Sequence, residues 1–196
     1  AQAGSMVGVE KEERMATPIV RSFLFRHPWL QINLLTAFVA AAVVGYFEGT
    51  LEQVVILAIF LPVVAGQCGN TATQTLAITL RALTLNELKP GGAGKLIAKE
   101  VGLGAANGVL VGFVAGAGMW FTAAQADRTD GLVLGGLVVI ALAISCAVSG
   151  IAGVSIPLIL KRLGADPATA SGIFLSTVTD VTSMGVFLGL ATLVLM

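Results

Sequence analysis

Five long apolar stretches, at about residues 29–47, 53–83, 98–123, 131–160 and 167–195, constrain this chain more than any other feature. A helix needs about 20 predominantly apolar residues to cross the hydrocarbon core of a bilayer. Inside lipid, a spanning chain satisfies its backbone N–H and C=O groups only within helices or a closed barrel. Runs of this length predict helices. The expected fold is therefore an all-α membrane protein with five transmembrane helices. Composition agrees: 56% of residues are apolar and 11% charged, where a soluble domain carries about 25% charged residues. A chain of 196 residues is expected to form one domain.

The connectors carry the charge and orient the bundle. With five spans, the N-terminal segment and the second and fourth connectors share one side. That side holds Lys11, Arg14, Arg21, Arg26, Arg81, Lys89, Lys95, Lys99, Lys161 and Arg162, and the other holds only Arg128. Basic residues concentrate on the cytoplasmic side of a membrane protein. The expected N-terminus is cytoplasmic, the C-terminus outside, and the protein a multi-pass resident of the cell membrane. The outer mouth carries Glu48, Glu52, Asp127 and Asp130 against Arg128, an acidic rim that attracts cations within about a Debye length. Net charge is zero, and no nucleic-acid partner is expected.

Residues 1–9 read as a tag or disordered N-terminus, because Ala1-Gln2-Ala3-Gly4-Ser5 has the look of an expression scar and charge follows where a signal peptide would have its apolar core. Residues 10–27 read as a cytoplasmic linker helix, and 28–196 as the five-span domain. Cys68 and Cys146 are too few for a disulfide framework and read as small buried thiols. In the third span Gly104, Gly108, Gly112 and Gly116 repeat every four residues, and in the fourth Ala141, Ser145, Ser149 and Gly153 do the same. Small residues at this spacing let helix backbones approach closely in lipid. They predict an intrachain seam between spans three and four.

The chemistry lies in spans two and five. Span two contains Pro62 and the run Gly66-Gln67-Cys68-Gly69, which predicts an interrupted helix with freed carbonyls near Gly69. Asn70, Thr73 and Gln74 follow on one helix face. In span five, Asp180 reads as the one ionisable side chain deep in a span, and Ser176, Thr177 and Ser183 share its face. A charge at the bilayer centre costs about 3 kcal/mol on insertion scales, and no Lys or Arg lies at matching depth. Asp180 is therefore either protonated or compensated by a cation. Carboxylate, amide, hydroxyl and carbonyl oxygens are hard ligands, suited to Mg²⁺, Ca²⁺ or Mn²⁺. The candidate ion-binding residues are Asp180, Asn70, Gly69, Thr73, Gln74, Ser176 and Thr177. One acid per chain is too little for a divalent ion, and a dimer with its pore on the axis brings two.

Three segments carry a resemblance to a known family: Pro62-Val63-Val64-Ala65-Gly66-Gln67-Cys68-Gly69-Asn70-Thr71-Ala72-Thr73-Gln74 with Arg81-Ala82-Leu83, then Leu163-Gly164-Ala165-Asp166-Pro167-Ala168, then Asp180-Val181-Thr182. Over residues 12–196 the chain resembles the membrane domain of MgtE-type magnesium channels and transporters. The resemblance implies a homodimer whose central pore is lined by spans two and five, with Asp180 holding hydrated Mg²⁺ and Asn70 and nearby carbonyls assisting. It also implies that residues 10–26 lead into the pore domain as a cytoplasmic helix. Cys68 and Ala72 stand where the family's Gly-Gly-Asn-x-Gly pattern has glycines. The family's cytoplasmic N-terminal and CBS domains are absent from the sequence, which implies a cut-out pore domain or a relative regulated without them.

Two other transport or membrane roles compete with a divalent-cation channel. One is a Na⁺- or H⁺-coupled divalent cation exchanger, and the other a non-transporting membrane scaffold subunit. An enzyme is not expected. An intramembrane aspartyl protease needs two facing acids, and the lone His27 sits beside Pro28 at the membrane boundary rather than buried next to a nucleophile.

Overall fold

The computed structural model describes residues 12–88 and 91–196. The N-terminal reading of residues 1–9 lies outside them, as do Lys11, Lys89 and Pro90. The described residues form six helices: α1 (Ile19–Tyr46), α2 (Glu48–Gln53), α3 (Ile56–Thr84), α4 (Gly92–Gln125), α5 (Gly131–Arg162) and α6 (Pro167–Leu195). Five of them are long and apolar enough to span a bilayer. The chain is an all-α, multi-pass membrane protein. The short α2 turns the chain between the first two spans.

Local sequence explains the helix ends. α3, α4 and α5 all finish in the same way. A residue with positive φ (Asn86, Asp127 and Gly164 respectively) follows the last turn. The next amide reaches back to the carbonyl five residues earlier: Glu87 to Ala82, Arg128 to Ala123 and Ala165 to Leu160, at 3.0–3.1 Å. This closure satisfies carbonyls that have no intrahelical donor. Asn, Asp and Gly tolerate the left-handed conformation it requires. α6 opens with Asp166 as N-cap, its Oδ1 accepting from the Ala168 amide at 3.0 Å, and Pro167 in the first turn. Proline is suited there, since its missing N–H would have no helical acceptor anyway.

Proline does not end helices here. Pro28, Pro62 and Pro157 lie inside α1, α3 and α5. α1 therefore runs as one helix across the boundary drawn at residue 28. α3 is likewise continuous through Gly66-Gln67-Cys68-Gly69, which corrects the expected interruption. Each proline lacks the donor for the carbonyl four residues back, Ala58 in the case of Pro62. The helix tolerates that single loss because the neighbouring backbone bonds persist.

α5 is the centre of the bundle. It packs on α4, α6 and α3, and half of its spanning window is buried. Residues 131–160 hold no charged side chain, as expected for a helix apolar all round. The predicted seam between spans three and four is present, with a different partner line on α5. A Cβ at Gly104, Gly108 or Gly116 would overlap the carbonyl oxygens of Cys146, Leu142 and Gly135, and one at Gly112 would meet the Val139 Cα at 2.9 Å. Gly153 instead faces α3, where its Cβ would strike Thr75 and the Ala72 carbonyl. The small residues of α5 thus serve two neighbours on two faces.

α1 lies at the edge, packed on α6. Ala40 is its one buried residue, and Phe23, Leu24, Leu35 and Phe38 stand exposed. Such a surface suits hydrocarbon.

Candidate ion pathway

α3 and α6 pack side by side and antiparallel. Leu175, early in α6, shares a buried cluster with Ala72, Leu76 and Leu80, late in α3. At the opposite end Thr192 and Thr50, just before α3, hydrogen-bond at 2.7 Å. Asp180 lies between these two anchors, and so does the stretch around Asn70.

The inner faces of both helices are dry. α3 buries Val64, Cys68, Ala72, Thr75 and Thr79, and α6 buries Ser171, Leu175, Thr179 and Ser183. The outer face of α3 is open along its length: Gly66, Asn70, Thr73, Gln74, Ala77 and Arg81 are exposed, and Gly69 is half-buried. On α6, Ser176, Thr177 and Asp180 are half-buried, whereas Ser183 is turned inward. A Cβ added at Gly66 or Gly69 would meet nothing within 4 Å. These two glycines leave room for nothing inside the protomer. They keep the outward surface of α3 narrow.

Hydrogen bonding gives this surface a definite polarity. Thr73 Oγ1 donates to the Gly69 carbonyl at 2.8 Å. Ser176 Oγ and Thr177 Oγ1 both donate to the Ile173 carbonyl, at 2.9 and 2.8 Å. A hydroxyl whose proton is committed to its own helix presents only acceptor lone pairs outward. The Asp180 carboxylate has no hydrogen-bond or ion-pair partner among the described residues, while its backbone carbonyl accepts from Ser183 Oγ at 3.2 Å. No group of three His, Cys, Asp or Glu side chains able to hold a metal forms among the described residues.

One acid escaped the sequence reading. Glu100 on α4 is 4% exposed, so Asp180 is not the sole acid inside the bundle. Glu100 Oε2 accepts from Thr75 Oγ1 of α3 at 2.9 Å, and Oε1 lies 3.9 Å from the Lys99 ammonium. Lys99 reads as connector charge in the sequence, and nothing there marks the neighbouring Glu100 as inward-facing. Only the packing of α4 against α3 and α5 turns Glu100 inward. It fastens the back of α3, one residue from Gln74, to the bundle.

Five spanning helices and an acceptor-lined face at mid-span define a multi-pass α-helical membrane protein of the polytopic transporter class. The MgtE family model, described as a divalent cation transporter, matches residues 61–190, the region holding every candidate residue. The chain belongs to the MgtE family of divalent cation transporters. It is 35% identical over 171 residues to the magnesium transporter MgtE of Bacillus subtilis, a match covering 85% of this chain and 36% of that protein. The magnesium transporter MgtE of Enterococcus faecalis is 32% identical, over 96% of this chain and 40% of its own length. That of Thermus thermophilus is 33% identical, over 90% and 38%. The chain thus spans less than half the length of these curated relatives.

Proposed function

We propose that this chain conducts divalent cations, Mg²⁺ foremost, along the axis of a homodimer, with α3 and α6 of both copies lining the path and Asp180 holding the hydrated ion. The open acceptor face at mid-span carries this reading. Asn70, Thr73, Gln74 and Asp180 are unsuited to face lipid, where polar groups find no partners. They are suited to face water and a second copy of themselves.

The ion's chemistry fits the face. Mg²⁺ sheds its waters reluctantly and is bound with most of them in place. Those waters direct their protons outward, so a hydrated ion needs acceptors. The Asp180 carboxylate, the Asn70 and Gln74 amide oxygens and the back-bonded hydroxyls of Thr73, Ser176 and Thr177 supply them. Two copies bring two carboxylates, matching the charge of one divalent ion. The three relatives are named as magnesium transporters, which supports Mg²⁺ as the cargo. The basic bias of the connectors supports a cytoplasmic N-terminus.

The test is Mg²⁺ flux into liposomes containing the purified chain, with Asp180→Ala beside it. Flux in the wild type that is lost in the variant supports the reading. Equal flux in both removes Asp180 from the path. Flux that requires an opposing Na⁺ or H⁺ gradient replaces the channel with an exchanger. No flux from a folded dimer favours the scaffold role.

A further inference from the structure

We infer that Cys68 and Cys146 form a second cation site, one for a soft, thiophilic divalent ion such as Hg²⁺, on the side of α3 turned away from the proposed path. Cys68 and Asn70 are two residues apart, about 200° around a helix. Asn70 faces out, and Cys68 faces in toward α5.

There the Cys68 and Cys146 sulfurs lie 4.0 Å apart, on residues 0% and 2% exposed, and both thiols are free. Oxygens surround them. Thr71 Oγ1 is 3.6 Å from Cys146 Sγ. Ser145 Oγ lies beside Cys68 and is buried without a hydrogen-bond partner. Ser149, one turn on, instead donates to the Ser145 carbonyl at 2.8 Å. Ser145 thus leaves a free hydroxyl next to a pair of sulfurs.

Distance and charge select the occupant. A disulfide needs its sulfurs about 2.05 Å apart, so this pair would have to close by roughly 2 Å. Two metal–thiolate bonds of about 2.3 Å, placed end to end, span about 4.6 Å, which modest side-chain rotation reaches. Binding replaces two S–H protons with one M²⁺ and releases both protons to water. The product, a bis-thiolate of a divalent ion, is neutral, and a neutral group is what a bilayer interior tolerates. A monovalent soft ion would leave one negative charge behind. Zn²⁺ favours four donors in a tetrahedron, and two sulfurs with hydroxyls fall short. Mg²⁺ prefers oxygen and passes thiols by. A linear soft divalent ion with a weak third contact to Ser145 Oγ fits. Once bound, it staples α3 to α5 directly behind Gly69 and Asn70, and a stapled α3 holds the ion-facing stretch fixed. That last consequence rests on the transport reading above, whereas the binding itself does not.

The test titrates the chain, reconstituted in lipid nanodiscs, with HgCl₂ under excess monothiol. The sulfur-to-mercury charge-transfer absorbance reports binding. A chelating pair keeps its ion against the monothiol, and a single thiolate is stripped. Wild type is expected to retain one Hg²⁺ per chain, and variants with Ala or Ser at either cysteine none. Two substitutions at each position, checked for native helicity, guard against misfolding. Loss of Hg²⁺ from wild type as readily as from the single variants overturns the site, and so does retention after both cysteines are replaced. In liposomes, Hg²⁺ is expected to lower wild-type Mg²⁺ flux by about tenfold or more, equivalent to 1.4 kcal/mol, with recovery on adding a dithiol and no effect on C68A/C146A. Retained Hg²⁺ with undiminished flux overturns the staple and keeps the site. A wild type that conducts no Mg²⁺ overturns the transport reading, and the titration still decides the site.

Discussion

Asp180 and Glu100 are two acids inside one bundle with opposite surroundings. Asp180 is half-buried on an open face, without a protein partner among the described residues, while Glu100 is sealed in and held by Thr75. On the proposed reading the first meets an ion, while the second holds a helix. Two unit charges about 4 Å apart at an effective dielectric of 20 interact by about 4 kcal/mol, and hydration reduces that for a water-clad ion. Asp180→Asn is therefore expected to reduce Mg²⁺ flux by about tenfold or more, with thermal stability unchanged or raised. Flux kept at the wild-type level would place the ion elsewhere. Glu100 should behave in reverse. Glu100→Ala strands the Thr75 hydroxyl and opens a small void, and interhelical hydrogen bonds in membranes are worth about 1–2 kcal/mol at most. Its unfolding midpoint in detergent should fall by several degrees, while Glu100→Gln, which can still accept from Thr75, stays near wild type. Equal midpoints for the two variants would show that this bond does not hold α3.

At the scale of elements, the α4–α5 pair is the rigid part. Lipid provides no hydrophobic drive for helices to associate, so close van der Waals contact must. A methyl at Gly108 would meet backbone, with Leu142 O at 2.5 Å and Ala143 Cα at 2.8 Å, whereas one at Gly136 on α5 would meet nothing within 4 Å. Gly108→Ala is expected to force the helices apart at a cost of about 1–3 kcal/mol, and Gly136→Ala to be neutral. Denaturant titration of the pair decides it. Similar changes in the two variants would mean that the seam does not govern either, since helix propensity alone favours alanine at both positions.

The junction between α4 and α5 adds a smaller, pH-dependent contribution. Arg128 Nη2 and Asp130 Oδ2 lie 2.6 Å apart, and the guanidinium holds the Asp130 carboxyl below its ordinary value. A depressed folded pKa stabilises the fold above the unfolded value and loses that contribution as pH falls through the folded one. For a partly exposed pair the gain is under about 1 kcal/mol. The stability gap between wild type and Asp130→Asn should be present near neutral pH and shrink as the pH falls below the ordinary Asp value of about 3.9. A gap that persists in acid would assign it to packing.

For the whole molecule, the exposed acceptor stripe on α3 and the edge position of α1 give the protomer two unlike sides. α1 offers large apolar side chains to lipid, and α3 offers polar groups that the proposed dimer would turn toward water and a second copy. Light scattering in nanodiscs is expected to find two chains per particle. Conduction by single-chain particles would remove the two-fold path. Orientation is equally open to measurement. In a cysteine-free background, a cysteine at Asp127 should react with an impermeant maleimide from outside intact cells, and one at Lys161 only after the membrane is opened. The reverse pattern would invert the bundle.

Much of this molecule follows from sequence alone. Spans and helix type follow from hydropathy, because a bilayer permits so few alternatives. The closing turns at Asn86, Asp127 and Gly164 rest on residue types that accept positive φ. The candidate residues Asn70, Thr73, Gln74 and Asp180 were legible as polar groups where polar groups are expensive. Tertiary packing decided the rest. A glycine run looks like a break, yet α3 stays helical, because a continuous ladder of backbone bonds outweighs a residue's intrinsic freedom when lipid offers no other partners. A repeat of small residues shows that a seam exists, but not which face of α5 receives it. Glu100, next to the connector charge Lys99, shows its role only when α4 turns it toward Thr75, and Cys68 and Cys146 read as small buried thiols until α5 crosses α3 and pairs them. Burial and proximity belong to pairs of helices, and a single chain read in order contains only the halves of each pair.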